Sequence, residues 1–218
     1  MIKVTIRDGL GARITTLANA LSAHAEVAFG WAENEHCPLA HDQVFPHGIA
    51  GVHFVEPEGD GCFTDWNARP FFSWDGAKNR KRANAAYSRI MAAMAGDAKQ
   101  VCDVGVCGRF LRNPQGCPDT LAAGVSRTAR DSGAKTVFLL CDQHRKAIAE
   151  TLREDGLEVV MPACPPLASD LDRGCLDTRL FLDDWKTLLA CPVIVAINGP
   201  TCLLNPARAA GREIIYAT

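Results

Sequence analysis

Short apolar runs alternate with longer stretches of helical period along the whole chain. Residues 2–6 alternate and are rich in β-branched side chains, which predicts a first strand. Beyond the loop Asp8-Gly9-Leu10-Gly11-Ala12-Arg13, the positions Leu10, Ile14, Leu17, Ala18 and Leu21 recur at helical spacing and predict a buried helix face. Residues 25–31 and 51–55 read as further strands, separated by a polar, histidine-bearing segment over 32–46. Residues 56–75 are rich in Gly, Pro and aromatics and read as a long irregular loop. Its aromatics, Phe63, Trp66, Phe71, Phe72 and Trp74, either line an acceptor site or staple the loop to the core. Residues 76–95 are helical in pattern, with a basic front (Lys78, Arg80, Lys81, Arg82) and an apolar back (Ile90, Met91, Met94). The basic front reads as a solvated face or as help in neutralising a phosphorylated ligand.

The second half repeats a strand–helix rhythm more cleanly. Strands are predicted over 101–106, 136–141, 157–161, 192–197 and 213–216. Helices are predicted over 118–132, 143–155 and 177–190, with a short one around 201–210. Strands alternating with helices predict an α/β fold with a parallel sheet covered on both faces in the C-terminal half. The residues ending successive strands, Arg109, Asp142, Pro162 and the run 198–201, would then gather on one sheet edge. In open α/β sheets that edge binds ligands. The expected division is an N-terminal lobe over 1–97 and a C-terminal, ligand-binding lobe over 98–218.

Composition narrows the function classes. The chain has 218 residues, 48% of them hydrophobic, enough for one large domain or two small ones. A formal charge of −2 offers no electrostatic case for nucleic acid or an anionic membrane as partner. The opening residues are strand-like and resemble no signal peptide, and no apolar run is long enough to span a bilayer. The ten cysteines form no C-x-x-C pair. They are expected to be reduced thiols in a cytoplasmic protein, with those in strands acting as small buried hydrophobes. Cys37 with His36 and His41 is the nearest approach to a metal cluster, and three loop residues lacking a fourth ligand predict no metal site.

Two stretches carry chemistry. The first is residues 100–112, a valine-rich strand running into a loop, with Cys107 and Gly108 ending the strand and Arg109 just past it. A guanidinium there can hold a phosphate through two parallel hydrogen bonds; otherwise Arg109 is a surface arginine after a strand. The second is the loop Gly9-Leu10-Gly11-Ala12-Arg13 between a strand and a helix. It lacks the Gly-Lys-Ser/Thr of a phosphate-binding loop and the third glycine of a dinucleotide fingerprint. It reads as a tight strand-to-helix turn or as an anion site at a helix N-terminus.

Taken in order, these features resemble the fucosyltransferases related to the nodulation α-1,6-fucosyltransferase and the protein O-fucosyltransferases. The family's Gly-x-Gly-Asn-Arg/Gln loop is similar to Gly9-Leu10-Gly11-Ala12-Arg13. Its strand ending in His-x-Arg is similar to Val106-Cys107-Gly108-Arg109. Its strand ending in acidic residues is similar to Val137-Phe-Leu-Leu-Cys-Asp142. Its late strand and Gly/Ser/Thr turn are similar to Val193-Ile-Val-Ala-Ile-Asn-Gly-Pro-Thr201, with Gly211 before the last strand.

The resemblance implies two Rossmann-like halves facing a cleft, a compact GT-B-like glycosyltransferase. It implies inverting, metal-independent transfer of a 6-deoxyhexose such as fucose from a GDP-sugar to an acceptor hydroxyl, with no cofactor beyond the donor. Arg109 is the implied stabiliser of the leaving diphosphate. Thr201, with Asn198 and Gly199, would hold the second phosphate edge. Asp142 would accept from the ribose or the base. Gly9, Gly11 and Arg13 would close over the phosphates or the sugar. Asp8, His36 and His41 are the candidates for a general base. The partners are the nucleotide-sugar and a glycan or other hydroxyl acceptor, and the apolar strands allow a homodimer. The loop's Asn position holds Ala12 and the strand's His position holds Cys107. These two departures support an alternative, a catalytically decayed member of the fold that acts as a binding or structural module.

Overall fold

The computed structural model describes residues 1–6, 9–34, 37–57, 77–111, 116–166, 178–197 and 202–217. The chain divides into two compact units. One is Met1–Ala95 with Thr201–Ala210, the other Gly96–Pro200 with Gly211–Thr218. The boundary falls between Ala95 and Gly96, and residues 202–210 group with the N-terminal unit.

The N-terminal unit holds a three-stranded parallel sheet in the order β1-β2-β3, from β1 (Ile2–Thr5), β2 (Val27–Gly30) and β3 (Val52–Val55). Helix α1 (Leu10–Ala23) follows β1, and its apolar face buries Ile14, Leu17 and Ala18 completely. A one-turn helix α2 (His41–Val44) lies in the stretch read from sequence as polar loop. Four residues are too few to show a helical period, so the pattern concealed it. Helix α3 (Ala77–Ala93) precedes the change of unit, with Lys81 and Arg82 exposed and Tyr87 and Ile90 buried. The 3-10 turn Cys202–Leu204 and helix α7 (Asn205–Ala209) complete this unit. Thr15 Oγ1 accepts hydrogen bonds from Tyr87 Oη (3.2 Å) and Asn205 Nδ2 (3.0 Å), and Arg208 Nη1 donates to Asn205 Oδ1 (2.9 Å). That chain fastens α7 to α1 and α3 while Leu204 sinks into the core.

The C-terminal unit holds five parallel strands in the order β6-β5-β4-β7-β8. They are β4 (Val104–Gly108), β5 (Thr136–Cys141), β6 (Glu158–Val160), β7 (Val193–Ile197) and β8 (Glu213–Ala217). Helices α4 (Pro118–Ser132) and α5 (Arg145–Glu154) cover one face. There Val104, Val106, Leu121, Val125, Leu139, Ile148 and Val195 form one core. Helix α6 (Thr178–Ala190) covers the other, and Leu188 comes so close to Gly105 that a Cβ there would stand 2.9 Å from its Cδ1. Burial on both faces is why these strands read as continuous apolar runs instead of alternating ones.

Local chemistry sets the element ends. Helix α4 opens with Pro118 and carries Asp119 in its first turn and Arg130 in its last, matching the helix dipole at both ends. Gly133, at φ +68°, takes the left-handed turn that ends it.

Strand β4 starts three residues later than the valine pattern predicts. Val101 is 69% exposed, and Asp103 turns outward to accept hydrogen bonds from the backbone N–H groups of Lys135 (2.8 Å) and Thr136 (2.9 Å). The Asp103 N–H donates to Thr136 Oγ1 (3.0 Å) instead of to a strand carbonyl, and backbone pairing begins at Val104. At its other end β4 runs on through Cys107 and stops at Gly108, so Cys107 is a strand residue and Arg109 follows the strand directly.

Candidate functional site

The strand order places a crevice. From β4 the chain winds outward through β5 to β6, then returns to β7 on the other side of β4 and continues to β8. The winding reverses between β4 and β7, and ligands of open α/β sheets bind outside the carboxyl ends of the strands at such a point. Arg109 is the first residue past β4. The residues directly after β7 in sequence are Asn198, Gly199, Pro200 and Thr201, and all four lie outside the described residues. So do Asp8 and His36.

Arg109 and Asp142, more than thirty residues apart in sequence, meet in this unit. Arg109 Nε lies 3.7 Å from Asp142 Oδ2, with 23% of the arginine side chain exposed against 5% of the aspartate's. Asp142 Oδ1 accepts from the Phe110 backbone N–H at 2.8 Å and Oδ2 from the Leu111 N–H at 3.3 Å. The Asp142 N–H in turn donates to Gly108 O at 3.0 Å. The phenyl ring of Phe110 meets the His144 ring edge-on, with centroids 5.0 Å apart. A short loop carrying an arginine is thus stitched to the end of the neighbouring strand. Beneath it, burial pushes the Cys107 thiol pKa up to about 11, with Arg109 opposing the shift, so the thiol is neutral at pH 7.

A groove of about 780 Å³ flanks the carboxyl ends of β5 and β6, walled by His144, Lys146 and Ala147 on one side and Met161, Pro162 and Pro166 on the other. Two residues that sequence reading missed hold its rim. Buried Arg145 donates to the carbonyls of Cys141 and Cys164 and to Cys164 Sγ (3.7 Å). Asp184, on α6, accepts from the backbone N–H groups of Ala163 (3.0 Å) and Cys164 (2.7 Å). The available signal was an Asp-Asp pair inside the apolar run Leu180-Phe-Leu-Asp-Asp-Trp185, because acids on a buried helix face need donors.

The N-terminal candidates sit differently. Gly9 is the extended N-cap of α1, and its carbonyl accepts from Ala12 N and Arg13 N. Gly11 is buried beneath the Cys202–Leu203 backbone of the same unit. Arg13 is fully buried, its guanidinium 4.9 Å over the Trp31 ring. His41 is half-buried and stacks on Phe54, with centroids 4.7 Å apart. Among the described residues no group of three or more His, Cys, Asp or Glu is arranged to hold a metal ion. Cys37 is buried beside Arg13, and burial raises its thiol pKa. Eight described cysteines are free thiols. No described helix is long and apolar enough to cross a membrane.

No protein-family description matches the sequence, and no curated protein matches it. Solved structures do match the fold. NodZ α-1,6-fucosyltransferase, in a crystal soaked with GDP-fucose, superposes with a TM-score of 0.56 at 13% identity, over 95% of this chain and 91% of that one. POFUT1 superposes with a TM-score of 0.53 at 10% identity, over 99% and 97% of the two chains, both in its apo form and in complex with GDP-fucose. The fold is fucosyltransferase-like. The fucosyltransferase-like fold agrees with the α/β class and parallel sheets predicted from the strand–helix rhythm. At this level of identity the likeness establishes architecture, and function has to come from the site.

Proposed function

We propose that the chain is a glycosyltransferase of GT-B type that takes a GDP-linked 6-deoxyhexose and transfers the sugar, with inversion and without a metal, to an acceptor hydroxyl. The observation that carries this reading is Arg109 at the reversal point of the C-terminal sheet. It stands on a braced loop, in a chain whose fold matches enzymes crystallised with GDP-fucose.

In an inverting transfer the acceptor oxygen attacks the anomeric carbon as the bond to the diphosphate breaks. Negative charge builds on the departing phosphate, and a fixed cation there lowers the barrier. Arg109 supplies that cation. Asn198, Gly199 and Thr201, next in sequence to β7, are proposed to hold the other phosphate edge. His41 is the described candidate for a base, and a reactive acceptor needs little base assistance.

One set of observations favours a second reading, a decayed scaffold that binds without turnover. Arg13 and Gly11 are spent on packing, and Cys107 is a buried thiol.

Thermal stability of the protein against GDP, UDP, CDP, ADP and NAD tests both. A ligand that binds only the folded state adds RT ln(1 + [L]/Kd), about 2.7 kcal/mol at a hundredfold excess over Kd. A shift with GDP supports the donor site, and sugar release from GDP-fucose then separates enzyme from scaffold. No shift with any nucleotide overturns the donor-site reading and leaves the decayed fold as a structural module.

A further inference from the structure

We propose that Asp142 is a positioning residue, which sets the Arg109 guanidinium for the donor diphosphate instead of touching the donor itself. The inference rests on the donor-site reading of this unit. Its basis is the direction in which the carboxylate is used. Oδ1 faces the Phe110 N–H (2.8 Å), while Oδ2 faces the Leu111 N–H (3.3 Å) and Arg109 Nε (3.7 Å). Two successive backbone N–H groups make a concavity that suits an anion, and here the chain's own carboxylate fills it. With only 5% of its side chain exposed, Asp142 offers little surface to a ribose or a base.

The contacts form a closed brace. The Asp142 N–H holds Gly108 O, so the same residue grips the loop on both sides of Arg109. The Arg109 guanidinium stands in ion-pair range of that carboxylate, and a guanidinium presents paired N–H groups that suit a phosphate edge. Phe110, bonded to Asp142 and packed edge-on against His144, keeps the loop from swinging. Holding a charged group ready before its ligand arrives removes the cost of ordering it at the moment of binding.

The test is a double-variant cycle read by calorimetric titration with GDP, using wild type, Asp142→Asn, Arg109→Lys and the pair. Asp142→Asn retains one acceptor for the loop and loses the charge that holds Nε. Arg109→Lys retains the positive charge and loses Nε. The expected result is a tenfold or greater loss of GDP affinity in each single variant and no further loss in the pair. Non-additivity in the pair is the readout that simple destabilisation at residue 142 does not produce, since that would lower affinity whatever stands at residue 109. If Asp142→Asn fails to fold, Asp142→Glu, which keeps the charge and displaces it by one methylene, takes its place in the cycle with the same expectation.

Affinity within twofold of wild type in the Asp142 variant overturns the inference while the donor-site reading stands. So do losses that multiply in the pair, which would mean that Asp142 meets the donor independently. Failure of wild type to bind GDP or any other nucleotide overturns the donor reading first and this inference with it.

Discussion

A Cβ atom on Gly11 would stand 2.9 Å from the backbone nitrogen of Leu203. The glycine that looked, in sequence, like part of a phosphate-cradling loop is the seat on which a distant segment of the chain rests. Gly11→Ala should therefore destabilise the protein. Alanine is favoured over glycine within a helix by about 1 kcal/mol. Overpacking against immovable backbone costs about 1–3 kcal/mol, and at this distance it wins. A thermal melt should show a fall of several degrees, and a variant as stable as wild type would mean that the 202–204 segment yields.

Arg109→Ala should leave the fold intact and remove donor binding. The side chain is partly exposed, and Asp142 keeps its two backbone N–H partners when the guanidinium goes, so the loss should cost no more than about 1 kcal/mol of stability. GDP affinity should fall by tenfold or more, since a charge-assisted contact to phosphate is worth about 1.5–3 kcal/mol. Titration calorimetry with a parallel melt separates the two effects, and unchanged affinity would take Arg109 out of the site.

Asp184→Ala should cost about 2–4 kcal/mol, because it strips the acceptor from two backbone N–H groups, Ala163 and Cys164, the second of them buried. Hydrogen exchange should show both amides losing protection. Arg145 would still hold the Cys164 carbonyl, so the 162–166 turn should loosen while β5 and β6 stay paired.

Stability should fall as pH rises from about 9 to 11. Burial pushes the thiols of Cys107, Cys164 and Cys191 up to about 11 from an ordinary value of 9.0. Between these values the unfolded chain has released those protons and the folded chain has kept them, so the unfolded state is favoured. The stabilising contribution is complete below pH 9 and gone above 11. Urea unfolding under reducing conditions at pH 8 and 10.5 measures the drop, and Cys107→Ala should flatten part of it. Equal midpoints at the two pH values would refute the account.

The sequence by itself determined the elements of the C-terminal unit closely. The predicted helix over 118–132 and strand over 136–141 coincide with α4 and β5, because Pro118, Gly133 and an unbroken apolar run mark their ends locally. It also pointed to Arg109 and Asp142 as strand-end residues, since a strand that stops leaves its next residue on the sheet edge. The start of β4 escaped, because a valine pattern carries no sign that Asp103 will be claimed by Lys135 and Thr136.

Only the tertiary structure decided the rest. Strand order is a matter of which faces meet, so the reversal between β4 and β7 that gives Arg109 its place is invisible along the chain. The return of 202–210 to the N-terminal unit depends on Thr15, Tyr87 and Asn205 meeting from three separate helices. The same holds for the two arginines near strand ends. Both are polar residues after short loops in sequence, yet Arg13 is sealed over Trp31 and Arg109 keeps a face to solvent. What separates them is whether another element covers the guanidinium, and that is settled by packing between residues far apart in the chain.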